Sequence, residues 1–369
     1  MGTNQTREDL RTAMSTTANP RSNPKDGKLC RRQVIQGLGV AAATAFAATS
    51  LPRAAGAFAA RAAEDQGQVF PVVTINHLSL AAANYAKSRD WYVDLFGMRV
   101  VWDNGKMCAL EFGSMTEPNG LYIRNTNPNE KPNVGHFAFG TADYMIKRAA
   151  MKAELERRGL KNIRPDGGVG WTANDPAGYL LNAWVPIKDK AMYPGAAEPC
   201  GDPESAACKA GWESGLKDLS SIPKPSGKGF KATSYSHVVL NVPETDIPKE
   251  RDFYSGMYGM KVIYENLKGA NPQVFLRFGK NTLYLRKTAD PGDKPYCNHY
   301  AFVVEKYKQE AAEKKLKAMG FDPKPDSKLA WTVTDPDGMR IEVAGWGLPE
   351  HIANDCKGSN SDCPGGPKG

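Results

Sequence analysis

The sequence repeats itself at long range, and this repeat limits the fold more than composition does. Asn76-His77-Leu78-Ser79-Leu80 returns as Ser236-His237-Val238-Val239-Leu240, and Arg89-Asp90-Trp91-Tyr92 returns as Arg251-Asp252-Phe253-Tyr254. Gly97-Met98 returns as Gly259-Met260, and Leu121-Tyr122-Ile123-Arg124 as Leu283-Tyr284-Leu285-Arg286. His136-Phe137-Ala138-Phe139 matches His299-Tyr300-Ala301-Phe302. Trp171-Thr172 with Asp175-Pro176-Ala177-Gly178 matches Trp331-Thr332 with Asp335-Pro336-Asp337-Gly338. The offsets all lie between 160 and 163 residues and keep one order, so the chain is a tandem duplication.

Each copy divides again. His77 and His136, like His237 and His299, open similar patterns about sixty residues apart. An alternating apolar run leads into an amphipathic helix, and three short strands with turn residues follow. Helices are expected over residues 144–158 and 307–319, because Gly159 and Gly320 stand where a left-handed stop is needed. The two Asp-Pro-x-Gly segments read as tight turns feeding the last strand of each copy. The expected fold is α+β, with four βαβββ units paired into two tandem domains over residues 68–186 and 231–346. Residues 187–230, rich in Gly, Pro, Ser and Lys, read as a connector, and residues 347–369 as a tail.

The net charge of +8 would suit a polyanion partner, but its placement argues otherwise. Residues 1–59 hold eight Lys/Arg against three acids, and the remaining chain carries no basic run or basic stripe with interleaved aromatics. No nucleic-acid partner is expected. The basic segment leads into Cys30-Arg31-Arg32-Gln33-Val34-Ile35-Gln36, then a mild Gly/Ala-rich apolar stretch ending in small residues near Ala59 and Ala62. This resembles a twin-arginine export signal, with Arg31 and Arg32 as the pair. The resemblance implies the twin-arginine machinery as a partner and a signal and leader over residues 1–62. It also implies a periplasmic or secreted protein, exported already folded and not left inserted in the membrane. A metal loaded before export could travel inside such a protein. In an oxidising compartment the short loops Cys200 to Cys208 and Cys356 to Cys363 are expected to close as disulfides. Cys108 and Cys297 lie in apolar runs and read as small buried hydrophobes.

Five histidines can be inspected one by one. His237 and His299 take equivalent places at the starts of the third and fourth units, and Glu342 lies on the strand after the Asp335 turn. Two imidazoles and one carboxylate from three strands make a facial triad with open positions for other ligands. Tyr284, one strand before His299, is placed to donate a proton, to bind a metal as phenolate or simply to pack. Arg286 is a candidate contact for an anionic substrate group. The first copy holds His77, Tyr122 and His136, but Asn182 stands where Glu342 stands. Without an anionic ligand this second site is expected to be degenerate.

The repeat count, the histidine opening each unit and the Asp-Pro-Asp-Gly-x-x-x-Glu ending resemble the vicinal oxygen chelate superfamily. Within it, the layout of His237, His299 and Glu342 is similar to that of type I extradiol dioxygenases. That implies a divalent metal held by these three residues, iron(II) first and manganese(II) next. Two positions depart from the dioxygenase pattern. Tyr284 stands where those enzymes carry an acid–base histidine, and Trp331 and Thr332 stand near the place of a tyrosine. Three functions therefore stay open for a small substrate with vicinal oxygens. The first is an extradiol-type dioxygenase, and the second a glyoxalase-like isomerase or lyase using zinc, nickel or manganese. The third is a binding protein without turnover. The sequence leaves the oligomeric state undetermined.

Overall fold

In the computed structural model, the residues described are 69–184 and 218–358, apart from 116–117, 143, 167–169, 223 and 269. Arg31, Arg32, Cys200, Cys208 and Cys363 lie outside them. The first half runs β1 (Val72–Ala82), α1 (Tyr85–Phe96), β2 (Arg99–Asp103), β3 (Met107–Gly113), β4 (Pro118–Asn125), β5 (Asn133–Thr141), α2 (Tyr144–Arg157), β6 (Lys161–Asp166), β7 (Gly170–Asn174) and β8 (Leu180–Trp184). The second half runs β9 (Ala232–Val242), α3 (Ile247–Tyr258), β10 (Lys261–Asn266), β11 (Gln273–Phe278), β12 (Asn281–Lys287), β13 (Tyr296–Val304), α4 (Gln309–Ala318), β14 (Lys324–Ser327), β15 (Ala330–Thr334) and β16 (Arg340–Ala344). Helix α5 (Leu348–Gly358) follows. Each half is one eight-stranded sheet, ordered β2-β3-β4-β1-β5-β8-β7-β6 and β10-β11-β12-β9-β13-β16-β15-β14.

Local chemistry sets the element ends. The Asn84 side chain accepts hydrogen bonds from the Ala86 and Lys87 amides and so caps α1. Gly97 and Gly259 end α1 and α3 at φ 62° and 64°, a left-handed conformation that glycine takes without penalty. The fourth-unit helix begins later than the pattern suggests, at Gln309 rather than Tyr307. Lys306 has φ 53°, and the Tyr307 ring instead packs on Gly345 while its hydroxyl donates to Gln309.

Strand alternation sends successive side chains to opposite faces. On one face Leu78, Leu80, Phe137 and Leu181 join Leu240, Tyr300, Phe302 and Val343 in a core that spans both halves. The other face of each sheet carries its histidines. The halves meet through reciprocal contacts. Tyr92 on α1 donates to Asp335 across the interface, and its equivalent, Tyr254 on α3, donates to Asp175. A Cβ on Gly279 would lie 2.1 Å from the Val73 carbonyl oxygen, and one on Gly113 would lie 2.5 Å from that of Thr233. The Asp-Pro-x-Gly turns thus do more than reverse the chain: their first carboxylate also anchors the opposite half. Residues 348–358, expected as part of a tail, form helix α5 with Leu348, Ile352 and Ala353 buried.

Candidate metal centre

In the second half β9, β13 and β16 lie side by side, with His237 opposite Ala301 and Ala301 opposite Glu342. The pairing turns His237, His299 and Glu342 toward one point. His237 Nε2 lies 3.3 Å from His299 Nε2 and 3.4 Å from Glu342 Oε2, and His299 Nε2 lies 3.1 Å from Glu342 Oε1. All three are buried, with exposures of 0%, 3% and 0%. Donors this far apart suit one ion with bonds of about 2.0–2.2 Å to each.

The electrostatics agree with the distances. His299 Nδ1–H donates to Asn298 Oδ1 at 2.7 Å, which turns the Nε2 lone pair toward the cluster. Ser236 Oγ lies 3.4 Å from His237 Nδ1 and acts in the same way, more weakly. Burial pushes the His237 pKa down to about 3, partly opposed by Glu342. Burial, with Arg340 and Arg286 nearby, holds His299 well below its ordinary value. Both rings are therefore neutral near pH 7, as a metal ligand must be. Arg340 Nη2 holds Glu342 Oε1 at 3.2 Å and also bonds Asp326, while the buried Glu342 Oε2 has no hydrogen-bond partner. Two facing imidazole lone pairs beside an unsatisfied carboxylate oxygen make an arrangement that a cation would satisfy.

Tyr284 lies flat on His237, with ring centroids 4.4 Å apart and planes at 6°, and Phe275 covers its other side at 4.1 Å. Burial, then the Glu342 charge, hold its hydroxyl well above the ordinary tyrosine pKa, so it stays protonated. Its oxygen is buried without a hydrogen-bond partner. Arg286, half-buried, also has an unpartnered Nε. Asn298, Arg340 and Asp326 escape the sequence reading. Arg340 is two residues before Glu342 on one strand, so period-two alternation would have placed it on the same face.

The first half brings His77, Tyr122, His136 and Asn182 together on its matching face, but with different chemistry. His77 Nδ1–H donates to Asn76 Oδ1 at 2.7 Å, leaving Nε2 to accept from His136 Nε2–H at 3.1 Å. Gly135 precedes His136 where Asn298 precedes His299, so the side chain that fixes the His299 proton has no equivalent here, and the two imidazoles bond each other. Tyr122 stacks on His77 at 4.2 Å, as Tyr284 does on His237. His351, on α5, pairs with Asp355 at 3.6 Å.

Residues 74–182 match the family model of the Glyoxalase/Bleomycin resistance protein/Dioxygenase superfamily. No curated protein sequence matches the chain. Several solved structures resemble it in fold. A variant of homoprotocatechuate 2,3-dioxygenase from Brevibacterium fuscum aligns with TM-score 0.55 at 17% identity, over 75% of this chain and 72% of that one. An extradiol ring-cleaving dioxygenase from B. fuscum gives 0.55 and 17%, over 75% and 73%. The 2,3-dioxygenase LapB from Pseudomonas sp. KL28 gives 0.54 and 14%, over 75% and 93%. The fold, two α+β halves each built on one eight-stranded sheet, is consistent with tandem vicinal oxygen chelate domains.

Proposed function

We propose that the second half holds one divalent metal ion, iron(II), and that the protein is an extradiol-type dioxygenase for a small substrate with vicinal oxygens. The observation that carries this reading is the buried convergence of His237, His299 and Glu342, which presents two neutral nitrogens and one carboxylate at mutual distances of 3.1 to 3.4 Å. Such an ion, when bound, supplies Lewis acidity toward two neighbouring substrate oxygens and one-electron chemistry toward dioxygen. The chain's own groups do the rest. Arg340 orients the Glu342 carboxylate. Tyr284 keeps its proton in this environment and offers its unpartnered O–H as a hydrogen-bond donor to a substrate oxygen. Arg286 offers its unpartnered Nε–H to an anionic substrate group. Helix α5 packs over this face through Leu348 and Ile352 against Tyr284 and Phe275, keeping bulk water away. The test is anaerobic reconstitution with iron(II), followed by oxygen uptake with a panel of catechols. Uptake dependent on metal and catechol is expected; metal-loaded protein that consumes no oxygen contradicts the reading.

A glyoxalase-like isomerase or lyase is the second reading, favoured by Tyr284 standing where a dioxygenase carries its acid–base histidine. It predicts turnover of a vicinal dicarbonyl adduct without oxygen, and zinc, nickel or manganese in protein purified from its source. Export through the twin-arginine route, with disulfides Cys200–Cys208 and Cys356–Cys363, completes the proposal. It predicts a mature amino terminus near Ala59 or Ala62 and accumulation of precursor on Arg31→Lys/Arg32→Lys substitution. Cytoplasmic protein with an intact amino terminus contradicts it.

A further inference from the structure

We infer that the first half is a second ligand site of its own, taking a small organic carboxylate with an apolar body in place of a metal ion. The site is a cavity of about 470 Å³ on the histidine-bearing face of the sheet, a size suited to a small aromatic acid. Its openness is written in the sequence. Ser79 and Ala109 occupy the positions held in the second half by Val239 and Phe275, and among the described residues no helix covers this face as α5 covers the other.

The charges select the ligand. Asn182 has replaced the one carboxylate that could neutralise a cation at the histidine pair, and Glu130 is already held by Arg124 through two bonds of 2.8 and 2.7 Å. Arg164, at the exposed rim, has no anionic partner among the described residues, whereas its second-half equivalent, Lys324, pairs with Asp322 at 2.6 Å. The register of β6 on β7 shifts between Lys161 and Arg164, a bulge of the kind that re-aims a side chain. Burial, then the charges of Arg124 and Arg164, push His136 down to about 4, so its ring is neutral and adds no charge to the cavity. A cation meets repulsion there. A carboxylate meets Arg164 at the rim and apolar walls from Tyr122, Met107 and Leu180.

The experiment is calorimetric titration of the full-length protein with benzoate and with benzamide, its neutral isostere. Benzoate is expected to bind at one site, at least about tenfold more tightly than benzamide. Arg164→Gln, an exposed substitution that spares the fold, is expected to weaken benzoate at least about fivefold. Glu342→Gln, in the other half, is expected to leave it within about twofold, which separates this site from the proposed metal centre. Absence of benzoate binding, equal affinity for benzamide, an unaffected Arg164→Gln protein or loss of binding in Glu342→Gln would each overturn the inference.

Discussion

At the scale of single residues, what separates the two halves is where one proton sits and whether one carboxylate is present. Asn298 fixes the His299 proton on Nδ1 and so releases Nε2 as a lone pair, whereas His136 has no such partner among the described residues and spends its Nε2–H on His77. Asn298→Ala should weaken metal binding about 10- to 100-fold, measured by chelator competition; an unchanged affinity would show that the tautomer is not set there. Restoring the missing charge is the converse test. Asn182→Glu should raise bound manganese(II) from one toward two per chain, with the second ion weaker because Arg124 and Arg164 face it. The donors themselves are legible in the sequence, since histidines are few and recur at one offset. Asn298, Arg340 and Asp326 are not, because their roles depend on register and rotamer, which a repeat does not specify.

Among the secondary elements, helix α5 changes the account most. It has no counterpart among the described residues of the first half, and comparison of the two copies does not point to it, although Leu348, Ile352 and Ala353 lie at helical spacing. These side chains pack with Tyr284, Phe275 and Val239, so α5 closes a face that no described helix covers in the first half. Ile352→Ala should cost about 2–4 kcal/mol of stability, read from the denaturant midpoint, and should speed removal of bound metal by a chelator. A loss below about 0.5 kcal/mol would mean that α5 rests on the site only loosely. The strands and the other helices are legible because alternation, Gly stops and Asp-Pro-x-Gly turns agree at every level. The late start of α4 is not, since it follows from the fit of the Tyr307 ring against Gly345.

The whole molecule is held together by pairs of equivalent contacts across the two halves, and one of these pairs is not symmetric. Ser88 donates to Asp337, but its equivalent, Glu250, accepts from the Ala177 amide and keeps its second oxygen buried without a partner. Burial, then repulsion from Asp175, push the Glu250 carboxyl far above its ordinary value, and burial also raises Asp175 despite its bond from Tyr254. Groups raised in the folded state hold protons that the unfolded chain has already released. Their stabilisation is full below the ordinary carboxyl pKa and is lost as pH rises through the folded values. Between pH 7 and 9 the histidines are already neutral, and stability should fall by up to about 1.4 kcal/mol per pH unit for each proton involved. Glu250→Gln keeps the oxygen that accepts from Ala177 and should flatten that slope in urea midpoints; an unchanged slope would remove Glu250 as its origin. The duplication itself is legible in the sequence, but this interface is not, because equivalent residues in a repeat carry no sign of whether they meet. The central claim is that one ion sits in the second half alone. It is tested most directly by metal content per chain in the wild type, Glu342→Ala and Asn182→Ala proteins, loaded and desalted together. About one ion is expected in the first, almost none in the second and about one in the third; an ion retained without Glu342 would contradict it.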